Sequence, residues 1–170
     1  MRFSLLPDMI TESITDLTPD FLQSRGIELL MLDFDNTIVP YTTDIATEKV
    51  NDWLIGMQAS SVQICVVSNS RNDRVKRFCR YHGIPCITRA KKPLPTGIRA
   101  CLGKYGKEPE RCALVGDQIF TDTLGANCAG VNSILVKAID NHNIWLKLRH
   151  VAEMPFILAA GKRRIHDEES

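Results

Sequence analysis

The sequence lacks any apolar run long enough to cross a membrane. A transmembrane helix needs about 20 consecutive apolar residues, and no stretch of the 170-residue chain approaches that length. Residues 1–10 hold only a brief apolar patch, which Pro7 and Asp8 interrupt, and it is shorter than the apolar segment of a secretory signal peptide. We therefore expect a cytoplasmic protein with no transmembrane segment.

An excess of charge of one sign is also missing, because 21 lysines and arginines accompany 20 aspartates and glutamates. So small a net charge exerts no long-range attraction on nucleic acid or on an anionic membrane. The chain also has no basic stripe with interleaved aromatic residues, which a nucleic-acid track requires. We expect no nucleic-acid partner, and any selectivity for anions must be local.

Closely spaced cysteines and linker segments are absent as well. The six cysteines lie far apart, form no C-x-x-C motif and fall mostly within apolar runs. Such cysteines are typical of buried, reduced thiols in a cytosolic protein. No shift in composition, charged tract or repeat marks a domain boundary, so we expect one domain over residues 1–170.

Apolar strands alternate with helices along most of the chain. The predicted strands are 28–34, 64–67, 85–88, 112–115 and 133–136, and the predicted helices are 18–25, 45–57, 71–82, 96–105 and 121–129. The strands are too uniformly apolar to leave one face in water, which favours a parallel sheet covered by helices on both sides. The sequence therefore predicts an α/β fold with about five parallel strands in a three-layer α/β/α sandwich.

The last part of the chain is open to two interpretations. Residues 143–151 have a helical pattern, and the apolar residues 156–160 precede the basic residues 162–164. Packing of this tail onto the sheet is one interpretation. Contact with a membrane surface is the other, and it would make the protein peripheral at the inner face of the membrane.

Polar residues collect where four of the predicted strands meet one edge of the sheet. Crowded carboxylates repel one another and need a cation, for which Mg²⁺ with its oxygen ligands is the natural candidate. A lysine and a hydroxyl beside them suit an anionic group, and we infer phosphate. Singly, each residue has an ordinary explanation as a helix cap, a turn residue or a solvated charge. In chain order they are Asp33, Asp35, Thr37, Ser68, Asn69, Lys91, Lys92, Asp117 and Asp122.

These residues also form a recognisable series of motifs. Asp33-x-Asp35-x-Thr37, an apolar strand that ends in Ser68, Lys92-Pro93, and Gly116-Asp117 followed by Asp122 resemble, in order, the four motifs of the haloacid dehalogenase-like (HAD) superfamily. The sequence around these motifs is similar to that of the subfamily IIIA phosphatases of YqeG type, which resemble mitochondrial phosphatidylglycerophosphatases. Ser68-Asn69 stands where Thr-Gly is frequent in the superfamily. The resemblance implies a Rossmann-like HAD fold without a cap domain.

The resemblance also implies roles for the acids. Asp33 would be the nucleophile that forms an aspartyl-phosphate, and Asp35 would be the general acid and then the general base. Mg²⁺ would bind to the carboxylates of Asp33 and Asp117 and to the backbone carbonyl of Asp35. Asp122 would bind to the metal through a bridging water, or would lie next to the residues that bind to the metal directly.

The remaining motif residues would hold the phosphoryl group and the loop beneath it. Ser68 and Asn69, with nearby backbone N–H groups, would bind phosphate oxygens, and Lys92 would neutralise charge and orient Asp33. Thr37 would secure the loop after the first strand. The Lys-Pro pairing of the resembled motif favours Lys92, whereas residue chemistry alone does not separate Lys91 from Lys92.

The gaps between the motifs bear on the substrate. They have room for single helices but not for a lid domain, so the crevice is expected to receive the end of something large or to be covered by a second subunit. With the resemblance, this favours phosphatidylglycerophosphate, a lipid headgroup at a membrane surface, as the phosphomonoester substrate. The alternatives are a polynucleotide, protein or sugar phosphate as substrate and, in a different class, a receiver-type phosphoacceptor module.

Overall fold

The computed structural model describes residues 3–140 and Pro155. The predicted helix at 143–151 and the apolar and basic segment at 156–164 lie outside the described residues. All six cysteines are free thiols, five of them buried and Cys86 half-buried.

The centre of the molecule is a six-stranded, wholly parallel sheet with the order β1-β6-β5-β2-β3-β4. The strands are β1 (Met9–Thr11), β2 (Leu29–Leu32), β3 (Gln63–Val67), β4 (Cys86–Ile87), β5 (Cys112–Gly116) and β6 (Asn132–Val136). Five of these are the predicted strands. The sixth, β1, has only three residues and pairs with the distant β6, with Met9 opposite Ile134, so no local pattern announced it.

Five α-helices connect the strands: α1 (Pro19–Ser24), α2 (Glu48–Gln58), α3 (Asp73–Tyr81), α4 (Thr96–Tyr105) and α5 (Leu124–Ala129). Thr18, Thr47 and Asn72 cap the first three by accepting a hydrogen bond from a backbone N–H in the first turn. The predicted helix at 121–129 differs most from the structure. Its first part belongs to a π-helical turn, Ile119–Thr123, and only then does α5 begin.

Strand β2 is buried on both faces, which explains its continuous apolar sequence. Leu30 and Leu32 pack in one core with residues of α1, α2 and α3. Leu29 and Met31 point the other way, because side chains alternate along a strand, and pack with residues of α4 and α5. The predicted three-layer α/β/α arrangement is therefore confirmed.

The carboxyl ends of all six strands lie along one edge of the sheet, because the strands are parallel. In the described part of the chain, only the loop 33–47 separates β2 from α2, and only α3 with its flanking turns separates β3 from β4. Within residues 3–140 no cap domain is inserted at this edge. No helix of the described residues has the length and apolar character to span a bilayer.

Candidate active site

The loop after β2 carries the first two acids. Asp33 is buried and hydrogen-bonds through its backbone N–H to the Val115 carbonyl of β5, at 2.9 Å. The chain then turns sharply at Asn36, which adopts a left-handed φ of 65° that asparagine tolerates better than most residues. The side chain of Asn36 exchanges hydrogen bonds with the backbone of Asp140, at 2.7 and 3.0 Å. This turn leaves Asp35 half-buried at the mouth of the crevice.

Thr37 has a different place from the acids. Its side chain is buried, its hydroxyl has no hydrogen-bond partner among the described residues, and it lines a separate groove that none of the four site acids lines. Asn36 makes the hydrogen bonds that hold this loop. The predicted securing role of Thr37 stays a prediction, and Asn36 is a residue that sequence reasoning missed.

Lys92, rather than Lys91, reaches the acids. Its Nζ lies 2.7 Å from Asp33 Oδ1 and 2.7 Å from Asp122 Oδ1, and its side chain is only 1% exposed. The contact with Asp33 is a hydrogen bond, whereas that with Asp122 Oδ1 is an ion pair without hydrogen-bond geometry. Lys91 is exposed.

Asn69 fixes the backbone of Lys92. Its Nδ2 donates to the Lys92 carbonyl at 2.8 Å, and its Oδ1 accepts from the Lys92 N–H at 2.7 Å. Both polar atoms of this amide therefore position the lysine. The predicted contact of Asn69 with phosphate stays a prediction.

Three carboxylates form a buried cluster at this edge. Asp33, Asp117 and Asp122 each offer an oxygen within 4.8 Å of the others. The π-helical turn carries Asp122 back over Gly116, where a methyl group would overlap the Asp122 carboxylate. Its Oδ2 accepts a hydrogen bond from the Gln118 N–H at 3.1 Å. Asp122 is thus closer to the other acids than its sequence separation suggested.

Burial and neighbouring charges shift the pKa values of Asp33 and Lys92 in this cluster. Burial raises the pKa of Asp33 to about 7, and the charges of Asp122 and Asp117 add to the rise while Lys92 opposes it. Burial lowers the pKa of Lys92, but the carboxylates of Asp122 and Asp33 outweigh burial and raise it above its ordinary value. Lys92 therefore stays charged, yet one cation does not balance three acids.

The donor set fits a hard divalent cation. Three buried carboxylates that face each other are unfavourable unless a positive charge lies between them, and oxygen ligands are those that Mg²⁺ prefers. Asp122 Oδ1 is buried, makes no hydrogen bond and forms an ion pair with the Lys92 ammonium. Asp33, Asp117 and Asp122 have the spacing that would hold such an ion. The predicted ligand role of the Asp35 carbonyl and the predicted indirect role of Asp122 stay predictions.

Beside the cluster lies a small polar cavity of about 120 Å³. Ser68, at the end of β3, is buried, and its Oγ accepts a hydrogen bond from the Ser70 N–H at 3.0 Å. The residues that line the cavity are Asp33, Asp35, Tyr41, Ser68, Asn69, Ser70, Lys92, Gln118 and Thr121. The structure therefore brings Asp33, Asp35, Ser68, Asn69 and Lys92 to one cavity, and Asp117 and Asp122 belong to the acid cluster that shares Asp33 with it.

Sequence reasoning missed the partner of Asp35. Arg74, in the first turn of α3, pairs with Asp35 through an Nη1–Oδ1 distance of 2.8 Å. Burial raises the pKa of Asp35, while the cations of Arg74 and Lys92 oppose the rise. Arg74 and Asp35 are 39 positions apart. No signal in the sequence therefore distinguishes Arg74 from its basic neighbours on the same helix as the partner of Asp35.

The chain matches known proteins over most of its length. A family model described as haloacid dehalogenase-like hydrolase matches residues 7–130. The "Probable phosphatase YqeG" of Bacillus subtilis is 32% identical over 161 residues, which cover 95% of this chain and 94% of that protein. The predicted resemblance to YqeG-type proteins is thereby confirmed, whereas that to mitochondrial phosphatidylglycerophosphatases stays a prediction.

Solved structures share the fold at low sequence identity. An uncharacterized protein of Listeria monocytogenes superposes with a TM-score of 0.54 at 18% identity, covering 76% of this chain and 98% of that one. The cobalt-bound deoxy-D-mannose-octulosonate 8-phosphate phosphatase of Haemophilus influenzae superposes with a TM-score of 0.53 at 14% sequence identity. The match covers 82% of this chain and 92% of that one. The 3-deoxy-D-manno-octulosonate 8-phosphate phosphatase of Moraxella catarrhalis, solved with magnesium, phosphate and KDO, superposes with a TM-score of 0.51 at 18% sequence identity. The match covers 84% of this chain and 93% of that one.

The match to a hydrolase model argues against the receiver-type alternative. Both the extent of that match and the identity to the Bacillus protein are sufficient to assign a family. The chain therefore belongs to the haloacid dehalogenase-like hydrolase family.

Proposed function

We propose that this phosphatase is a Mg²⁺-dependent phosphomonoester hydrolase that acts through an aspartyl-phosphate on Asp33. The observation that carries the proposal is the contact of Lys92 Nζ with Asp33 Oδ1 at 2.7 Å, inside a cluster of three buried carboxylates. A buried lysine and a buried acid cluster cost stability. Their retention next to a polar cavity is understandable if they bind a doubly charged phosphoryl group and a cation.

Asp33 attacks phosphorus in the first step. Its carboxylate displaces the substrate oxygen, so that a bond from Oδ to phosphorus forms while the ester P–O bond breaks. Lys92 holds the attacking carboxylate in one orientation and offsets charge on the phosphoryl oxygens, and the Ser68 hydroxyl donates to one of those oxygens. A Mg²⁺ ion held at the acid cluster would supply further positive charge to the site.

Asp35 moves the proton in both steps. As a carboxylic acid it protonates the leaving alkoxide, and as a carboxylate it then removes a proton from the water that attacks the aspartyl-phosphate. Its position at the cavity, two residues beyond the nucleophile, suits both transfers. The second step releases inorganic phosphate and restores Asp33.

The size of the cavity bears on the substrate. A volume of about 120 Å³ accommodates a phosphoryl group but not a whole large ligand, since pockets for drug-sized ligands span about 300–1,000 Å³. With no cap domain within residues 3–140, the rest of the substrate lies outside the protein edge. A phosphate at the end of something large fits this arrangement.

The residues around the cavity support the proposal of a membrane contact. Five of the exposed large apolar side chains lie in segments that follow strands β2, β4, β5 and β6, and exposed cations lie in segments that follow β3 and β4. Apolar side chains among cations suit an anionic lipid surface. The apolar residues are Tyr41, Ile45, Leu94, Phe120 and Ile139, and the cations are Arg71, Arg89 and Lys91. We therefore propose phosphatidylglycerophosphate as the substrate, hydrolysed during peripheral contact with a bilayer.

A substrate panel tests the proposal. Phosphate release from phosphatidylglycerophosphate in mixed micelles is compared with release from sugar phosphates, nucleotides, a phosphopeptide and a 3′-phosphorylated oligonucleotide, each with and without Mg²⁺. We expect Mg²⁺-dependent turnover with the highest kcat/KM for the lipid and none for Asp33→Asn. A higher kcat/KM for a soluble phosphomonoester would overturn the lipid assignment and leave the phosphatase assignment standing. Turnover that persists in Asp33→Asn would overturn the proposed mechanism.

A further inference from the structure

Arg74 bonds to one segment of the chain through four acceptors. Its guanidinium is largely buried, with the side chain 13% exposed, and reaches from α3 to the loop after β2. Nη1 donates to Asp35 Oδ1 at 2.8 Å and to the Tyr41 carbonyl at 3.1 Å. Nη2 donates to the carbonyls of Pro40, at 2.9 Å, and Thr43.

The four contacts use all four terminal N–H groups of the guanidinium. Only a planar fork with this many donors bonds to a carboxylate and three carbonyls at once, and a lysine ammonium with three donors does not. The guanidinium carbon also lies 5.1 Å from the centre of the Phe34 ring, a distance at which a cation is attracted to the ring face. The position of Arg74 is therefore tightly fixed.

Two of the four residues that Arg74 contacts line the cavity. Asp35 and Tyr41 both line it, and Asp35 is the residue assigned above to proton transfer. The ion pair engages Oδ1 of Asp35, which leaves Oδ2 for the substrate. One side chain thus sets both the orientation of the proton donor and the course of the loop that carries Tyr41.

We propose that Arg74 is a positioning residue, which turns Oδ2 of Asp35 toward the leaving-group oxygen and orders the loop 40–43 beside it. The inference rests on the proposed function. Arg74 itself neither contacts phosphorus nor transfers a proton. The proton passes from Asp35 to the leaving oxygen as the ester P–O bond breaks. The Arg74 ion pair keeps Oδ2 of Asp35 aligned with that leaving oxygen.

Leaving-group dependence separates this role from a purely structural one. An alkyl phosphate needs its leaving oxygen protonated, whereas 4-nitrophenyl phosphate has a stable leaving anion that needs little help. The ratio of the two kcat values is measured on one sample, so loss of folded protein cancels from it. For Arg74→Lys and Arg74→Gln we expect kcat for the alkyl phosphate to fall about 100-fold and kcat for the aryl phosphate less than about tenfold.

Arg77 provides the matched control, because it lies on the same helix and pairs with Asp44 Oδ2 at 3.3 Å while 63% exposed. Arg77→Lys and Arg77→Gln should keep both kcat values within about twofold of the parent. Asp35→Asn should change the ratio by itself, and Arg74→Lys added to it should change the ratio no further, because residues that act through one step are not additive.

The outcomes separate the two proposals. Equal losses on both substrates in the Arg74 variants, or no loss on either, would overturn the positioning role while the phosphatase assignment stands. A further change of the ratio when Arg74→Lys is added to Asp35→Asn would likewise overturn it. A parent protein that hydrolyses neither substrate would overturn the proposed function, and this inference with it.

Discussion

Gly116 and Asp122 occupy adjoining space, such that a Cβ at position 116 would overlap the carboxylate of Asp122. The π-helical turn Ile119–Thr123 folds Asp122 back over the end of β5, and the absence of a side chain at Gly116 leaves room for it. Because Asp122 Oδ1 lies 2.7 Å from Lys92 Nζ, the glycine indirectly sets the position of the lysine and of Asp33.

Gly116→Ala should displace Asp122 and disturb the lysine that orients the nucleophile. Misplacement of a catalytic group by about 1 Å can cost about 100-fold in rate, so we expect kcat/KM for 4-nitrophenyl phosphate to fall by at least about that factor. Steady-state kinetics with a check of the folded state by circular dichroism measure the effect.

Gly103→Ala is the control for this prediction. Gly103 lies within α4 with no neighbouring heavy atom within 4 Å of an added methyl group. Alanine there should stabilise the fold by about 0.5–1 kcal/mol and leave kcat/KM unchanged. Parent-like activity in Gly116→Ala would contradict the role given to this close approach.

Lys92→Met should leave two buried carboxylates without their cation. Removal of one partner of a buried ion pair costs about 3–5 kcal/mol, so we expect a loss of that size in the free energy of unfolding without divalent cations, together with loss of activity. Denaturant unfolding measures the change, and added Mg²⁺ should restore part of it because the ion would replace some of the missing positive charge.

The comparison for Lys92 is Lys107→Met. Lys107 Nζ lies 2.8 Å from Glu28 Oε2 in a pair that is about 30% exposed on both sides. Solvent screens an ion pair with this much exposure, so the change in the free energy of unfolding should be small. A loss for Lys92→Met no larger than for Lys107→Met would mean that the lysine does not neutralise the acid cluster.

Mg²⁺ should stabilise the protein through Asp33, Asp117 and Asp122. A ligand at 100 times its Kd stabilises the folded state by about 2.7 kcal/mol, which a thermal unfolding titration detects. Asp117→Asn removes one charge from the cluster and should weaken binding, whereas Asp73→Asn, at an exposed position paired with Lys76, should leave the titration unchanged. Equal stabilisation of the parent and Asp117→Asn would place the ion elsewhere.

Much of this fold is predictable because β2 and β5 are apolar along their length and β3 and β6 are apolar over most of theirs. A strand such as Leu29–Leu32 is buried on both faces, so its sequence carries the signal of a covered parallel sheet. The site followed from the same inference, since the carboxyl ends of parallel strands meet at one edge. Asp33, Ser68 and Asp117 can be grouped from the sequence in this way, together with a lysine at position 91 or 92.

The parts that escaped prediction depend on contacts between distant segments. Strand β1 exists only through pairing with β6. The closeness of Asp122 to Asp33 depends on a π-helical turn, and the partner of Asp35 is one arginine among several on α3. Lys92 is distinguished from Lys91 by the side-chain amide of Asn69, which hydrogen-bonds to both the N–H and the carbonyl of Lys92. None of these relationships has a periodic or compositional signature.

The most direct test of the central claim is to trap the phosphorylated enzyme. Acid quenching of the protein during turnover of a radiolabelled phosphomonoester, followed by peptide mapping, locates the phosphoryl group. We predict label on the peptide that contains Asp33, labile to hydroxylamine as an acyl-phosphate is, and no label in Asp33→Asn. Turnover with no protein-bound label, or with label on another residue, would contradict nucleophilic attack by Asp33.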